Sequence, residues 1–193
     1  WLSQEIFPSI KQSHLESGRK KIRLWSAGCS SGQEAYSLGM TALESFRDQM
    51  DSEFDLRILG TDVNTEALSI AQAGVYPSEA VSSLGNRPTA PYFKPMMLPE
   101  KQLSQAQTAL TNLIEFRKVN LMQKDYPIAT KFDVILCRNV LYYFDPVPRQ
   151  KVLERLSSYL VDGGWLVLSL TEIGYEVAGL TKVRGHLFRR DCR

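Results

Sequence analysis

The sequence predicts an α/β domain, a doubly wound Rossmann-like fold with a mostly parallel sheet. Three observations predict it. Short apolar segments alternate with amphipathic segments of helical length along most of the 193 residues. The segment Phe132–Cys137 is almost continuously apolar, as a parallel strand covered on both faces should be. The first strand runs into Gly28-Cys29-Ser30-Ser31-Gly32, the kind of small-residue turn that opens a helix in such folds.

Taken in order, residues 5–17 read as a short amphipathic helix stopped by Gly18. Residues 21–27 (KIRLWSA) form the first strand. Residues 33–49 form a long helix with Ala35, Leu38, Ala42, Leu43 and Phe46 on one side. A second strand spans 56–61. A helix over 64–73 follows, with Asp62 or Asn64 as its N-cap and Gly74 as its stop. Strands are expected at 113–119 and 132–137, and a helix at 147–160 behind Pro146 and Pro148. Asp162-Gly163-Gly164 reads as a turn into a strand at 165–170, and 185–190 as a closing antiparallel strand.

Residues 75–112 break the alternation. They hold Pro77, Pro88, Pro91, Pro95 and Pro99, five of nine prolines, and are too long for an ordinary connection. They are expected to form a small inserted subdomain, at about 77–112, over one edge of the sheet.

Composition narrows the function. A hydrophobic content of 44% suits one core of ordinary size. The formal net charge of +2, from 23 basic and 21 acidic residues, does not point to a nucleic-acid partner. No apolar run reaches the roughly 18 residues of a membrane span, and Trp1–Ile10 lacks the pattern of a signal peptide. Cys29, Cys137 and Cys192 have no metal-ligand spacing, and His14 and His186 are the only histidines, so no metal site is expected. The cysteines read as reduced thiols of a cytoplasmic protein, with Cys29 and Cys137 at strand ends where they could line a pocket.

Three segments at strand ends carry the chemistry. The loop after the first strand is neither GxGxxG nor a P-loop, so alone it is either a nucleotide loop or a plain turn. Asp62, at the end of the second strand, is placed to accept from both hydroxyls of a ribose, or else caps the next helix. Arg138 and Asn139 follow the apolar strand 132–137 at its carboxyl end, ahead of Tyr142, Tyr143 and Phe144. The segment reads either as surface polarity with aromatic packing of Tyr142, Tyr143 and Phe144 or as a group of site residues, and an arginine there is rarely without an anion or carboxylate to meet.

Together these residues resemble the CheR-type chemoreceptor methyltransferases. The matching segments are LWSAGCSSGQEAYSLGM (24–40), ILGTDVNTEALSIAQAGVY (58–76), FRKVNL (116–121), FDVILCRNVLYYFD (132–145) and DGGWLVLSLTE (162–172), which cover most of the chain in order. The resemblance implies an S-adenosylmethionine-dependent methyltransferase fold over 21–193, with residues 1–20 a remnant of an N-terminal helical region or linker. It implies methylation of glutamate side chains in the cytoplasmic domain of a chemoreceptor, with S-adenosylhomocysteine as product. It also implies site residues. Ala27, Gly28 and Ser30 would shape the cofactor loop, and Glu34 would contact the cofactor's amino-acid end. Asp62 would hold the ribose, and Asn120 and Leu121 would flank the adenine. Arg138 and Asn139 would lie beside the cofactor. Arg138 and Tyr143 would be catalytic, positioning the acceptor carboxylate.

The chain departs from the family in three respects. The family's Gly-Glu-Glu-Pro-Tyr-Ser reads Gly32-Gln33-Glu34-Ala35-Tyr36-Ser37 here. The family's N-terminal helical domain is expected to be missing beyond Trp1–Ser17. So is the Asn-x-Thr and Phe-Phe-Arg segment, which contributes an active-site arginine. Some members use the insert to add a receptor peptide as an extra strand, but no motif in 75–112 establishes this, and a solvated insert is the expectation. Two competing readings stay open: a methyltransferase acting on another carboxylate, and a cofactor-binding signalling module with weak or no catalysis. Oligomeric state is not legible.

Overall fold

Leu2–Ile6 opens the chain as a π-helical turn that runs straight into α1 (Phe7–Ser17), which Gly18 stops in a left-handed conformation (φ 67°). The structure is a computed structural model that describes residues 1–50, 53–84, 89–98, 101–172 and 174–191. Pro88, Pro99 and Cys192 lie outside the described residues. After α1 come β1 (Lys21–Ala27), α2 (Gln33–Ser45), β2 (Asp55–Asp62) and α3 (Thr65–Ala73). The insert holds β3 (Val75–Pro77), α4 (Ser78–Ser82), β4 (Phe93–Leu98), β5 (Lys101–Ala106) and α5 (Thr108–Thr111). The chain returns with β6 (Ile114–Lys118), β7 (Phe132–Cys137), α6 (Pro146–Ser158), β8 (Leu160–Leu168), β9 (Leu180–Arg184) and β10 (Leu187–Arg190).

The main sheet has the order β6-β2-β1-β7-β8-β10-β9. Its first five strands pair in parallel and the last two join antiparallel. The chain builds outward from β1 to β2 and β6, then crosses back to place β7 on the other side of β1. The strand order therefore reverses between β1 and β7, and the crevice above their carboxyl ends is where such sheets bind ligands.

Period-two alternation sends each strand's side chains into two cores. Ile22, Leu24, Val134, Leu136, Trp165 and Val167 pack on one face with Ile6, Phe7 and Ile10 and with Ala35 and Leu38 of α2. Residues 1–20, expected as a remnant or linker, thus pack into this core through α1. Trp25, Ala27, Ile135, Cys137, Leu166 and Leu168 pack on the other face with Val152, Leu153 and Leu156 of α6.

The structure corrects several expected boundaries. The helix expected over 33–49 stops at Ser45, and Arg47–Gln49 is a 3-10 turn. Asp162-Gly163-Gly164 is not a turn before a strand but part of β8, which starts at Leu160 and stops at Leu168. Its pairing with β7 shifts register there. Glycine makes that irregularity possible: Gly163 has φ 74°, and a Cβ on Gly164 would stand 2.9 Å from the Val161 carbonyl oxygen. The closing strand is a hairpin, because Gly185-His186 turns the chain between β9 and β10.

The insert is a three-stranded antiparallel sheet, β3-β5-β4, with α4 and α5. It packs on α2: Tyr76, Val81, Tyr92, Phe93 and Leu110 are buried in the same cluster as that helix. Tyr36 of α2 meets the rings of Tyr76 and Phe93 at 5.7 and 6.0 Å.

Candidate functional site

The carboxyl ends of β1, β2 and β7, with the segment after β6, enclose a cleft of about 620 Å³. That volume suits a nucleotide-sized ligand. Gly28, Ser30, Glu34, Asp62, Asn120, Leu121, Arg138, Asn139 and Tyr143 line it. Ala27 does not: its side chain is fully buried with Trp25 in the core beneath the loop.

The loop after β1 has a backbone that only a few residue types accept. Gly28 (φ 82°) and Gly32 (φ 90°) lie in the left-handed region, and Ser30 (φ 49°) joins them. A Cβ on Gly28 would stand 2.3 Å from Val140 Cγ2, so glycine lets the loops after β1 and β7 approach closely. The Gly28 and Cys29 N–H groups donate to the Thr61 carbonyl at 2.7 and 2.8 Å, tying the loop to β2. From the insert, the Tyr76 hydroxyl donates to the Ser31 carbonyl at 2.7 Å.

The two readings of Asp62 separate cleanly. Asn64 is the helix cap, its side chain accepting from the Glu66 and Ala67 N–H groups at 2.9 and 3.2 Å. Asp62 instead accepts from Ser30 N–H on Oδ2 (2.8 Å) and from Asn64 N–H on Oδ1 (2.9 Å). An ionised carboxylate offers about four acceptor positions, so acceptor capacity remains on Asp62, which lines the cleft.

Across the cleft floor, Glu34 of α2 meets Arg138. Glu34 Oε1 accepts from the Ser26 hydroxyl at 2.8 Å, and Oε2 from Arg138 Nη1 at 3.2 Å. Burial raises the Glu34 pKa above the ordinary glutamate value, and the Ser26 hydrogen bond and the Arg138 charge partly offset this. Burial, with the nearby Asp62 charge, pushes the Cys29 thiol up to about 12. Cys29 lines the cleft as a protonated thiol, whereas Cys137 is wholly buried. Among the described residues, no group of three or more His, Cys, Asp or Glu is placed to hold a metal ion.

Beyond β7, Asn139 takes a left-handed backbone (φ 59°) and Leu141–Tyr143 forms a 3-10 turn. Tyr142 and Tyr143 pack ring to ring at 4.2 Å, and the Tyr142 hydroxyl donates to that of Tyr143 at 2.9 Å. Both rings line the exposed mouth of the cleft.

Sequence reasoning missed four supports of the site: Ser26 under Glu34, Tyr76 under the loop, Tyr142 beside Tyr143, and Glu172. The Glu172 carboxylate, 3% exposed, accepts from the backbone N–H groups of Leu141, Ser169 and Asn139 at 2.8, 3.0 and 3.2 Å. A glutamate just past a strand end reads as surface. Only the β7–β8 pairing brings it beneath Asn139, and the one local signal is its place at the end of the family-like segment 162–172.

A family model described as CheR methyltransferase, SAM binding domain, matches residues 1–178. The chain is 33% identical over 172 residues to the chemotaxis protein methyltransferase of Borreliella burgdorferi, covering 89% of this chain and 59% of the relative. It is 33% identical over 171 residues to a probable chemotaxis protein methyltransferase of Rhizobium etli, covering 89% and 62%. The chain therefore spans about three-fifths of the length of these relatives. Among solved structures, an S-adenosylmethionine-dependent methyltransferase from Clostridium acetobutylicum is 15% identical with a TM-score of 0.41, covering 86% of this chain and 49% of that one.

Proposed function

Because the chain belongs to the CheR methyltransferase family, we propose that its cleft binds S-adenosylmethionine and that it methylates glutamate side chains of a chemoreceptor's cytoplasmic domain. The observation that carries this reading is the Glu34–Arg138 pair, 3.2 Å apart, facing the same cleft as Asp62.

The residues fit the cofactor. Glu34 accepts from the ammonium of the cofactor's amino-acid end, and Arg138, paired with it, lies beside the cofactor with donors left for the acceptor carboxylate. The open acceptor positions of Asp62 take the two ribose hydroxyls. Asn120 and Leu121 flank the adenine, and Asn139 and the backbone of Gly28 and Ser30 close the cleft around the middle of the molecule. When bound, S-adenosylmethionine would supply a methyl group on a sulfonium, an electrophilic carbon open to attack by a carboxylate oxygen, with the C–S bond breaking and S-adenosylhomocysteine leaving.

An acceptor glutamate is already ionised at neutral pH, so the chain needs neither a strong general base nor a metal. Its task is alignment, which by itself supplies a large part of the rate gain in such displacements. Tyr143, at the mouth of the cleft, donates a hydrogen bond to the acceptor oxygen that is not attacking. Arg138, reaching from the cleft floor, steadies the carboxylate charge until the neutral ester forms. The reaction belongs to the cytoplasm, where the receptor's signalling domain lies, and involves neither nucleic acid nor membrane insertion. No helix among the described residues is long and apolar enough to cross a membrane.

The test is transfer of radiolabelled methyl groups to receptor-containing membranes. The expected product is a base-labile ester on receptor, with Arg138→Ala reducing the rate about tenfold or more, the scale of one charge-assisted hydrogen bond. Base-stable label, label on small molecules alone, or undiminished transfer by Arg138→Ala would overturn the assignment.

A further inference from the structure

We propose that Glu172 is a positioning residue for methyl transfer, its buried carboxylate setting the turn that carries Arg138, Asn139 and Tyr143 into the cleft. The proposal rests on the reading of the cleft given above.

Glu172 follows β8 and is 3% exposed. A carboxylate that deep is unfavourable unless its oxygens are satisfied. Among the described residues, its satisfaction comes entirely from backbone N–H groups. Oε2 accepts from Asn139 and Ser169, and so joins the chain leaving β7 to the chain leaving β8. Oε1 accepts from Leu141, the first residue of the 3-10 turn that ends at Tyr143. Asn139, whose N–H it receives, holds a left-handed backbone that a non-glycine residue keeps only when its surroundings enforce it. The two outer fastenings, at 139 and 141, bracket Val140, the residue that packs against Gly28 of the cofactor loop.

The adenosyl side of the cleft is built elsewhere. Asp62 ends β2, and Asn120 and Leu121 follow β6, on the far side of β1 from β7 and β8. Loss of the Glu172 carboxylate should therefore disturb transfer far more than cofactor binding.

The test uses Glu172→Gln, which keeps the length but turns one acceptor oxygen into an amide donor facing backbone N–H. Hydrogen exchange across residues 138–143 is expected to accelerate about tenfold or more, with 58–62 unchanged. The kcat/KM for methyl transfer should fall by about 100-fold, the scale of an ångström-sized misalignment, while the Kd for S-adenosylhomocysteine rises by no more than about fivefold. Glu172→Asp keeps the charge but draws it back by one methylene, and should give the same local pattern at smaller amplitude; it carries the test where the glutamine variant does not fold. Exchange that is unchanged, or accelerated evenly through the chain, overturns the proposal, as does cofactor affinity falling in step with transfer. Wild-type chain that transfers no methyl group would instead defeat the reading of the cleft, and the exchange measurement would still decide whether Glu172 holds the turn.

Discussion

Glu34 is the residue whose environment most directly sets how the cleft responds to pH. Its carboxyl is held above the ordinary glutamate value, first by burial. It must be ionised to accept from an ammonium. As pH falls, a raised pKa means that protonation comes earlier than for a solvated glutamate, so affinity for the cofactor is lost on the acid side at a higher pH. Ser26→Ala removes a hydrogen bond that favours the charged form, raises the pKa further and shifts the acid limb of binding upward. Titration calorimetry with S-adenosylhomocysteine between mildly acidic and neutral pH measures this; an acid limb in the ordinary glutamate range, or one that Ser26→Ala leaves in place, contradicts it. At this scale much of the site was legible. Gly28 and Ser30 in their turn, Asp62 and Arg138 all sit at strand ends, where such a sheet collects ligand-facing groups, and all line the cleft, whereas Ala27 does not. Their supports were not legible, since Ser26, Tyr76 and Glu172 act through contacts that only the folded topology creates.

The elements that were easiest to read are those in which one physical demand dominates. β7 is apolar at five of six positions because both faces are covered, and β1 alternates between two cores, so both matched their expected bounds. The helix at 65–73 shows a finer point: two residues competed for the cap, and Asn64 took it. Asn64→Ala should destabilise the chain by about 1 kcal/mol, measured by urea unfolding. It should also leave the Asp62 contact with Ser30 intact, because that contact uses the other carboxylate oxygen and a different backbone donor. An unchanged midpoint would show that the cap is dispensable. The strands of the insert and the β8 bulge were hidden for opposite reasons. Prolines and short strands masked the β3-β5-β4 sheet, whereas Asp162-Gly163-Gly164 imitated a turn so well that a continuous strand looked interrupted.

For the whole molecule, the decisive fact is the reversal of strand order between β1 and β7. It brings a loop near residue 30 and a turn near residue 140 to opposite walls of one cleft, with Asp62 on the neighbouring strand. Alternating elements in the sequence imply a parallel sheet, but not which strands neighbour which, so the pairing of Glu34 with Arg138 was beyond local reading. The central claim is that this cleft binds S-adenosylmethionine through groups brought together by that topology. Calorimetry with S-adenosylhomocysteine, comparing the wild-type chain with Asp62→Ala, tests it most directly. One equivalent should bind the wild type, and the variant should lose about 10- to 100-fold in affinity, the scale of charge-assisted hydrogen bonds to the ribose. No binding by a folded wild-type chain, or equal affinity in the two, would contradict it.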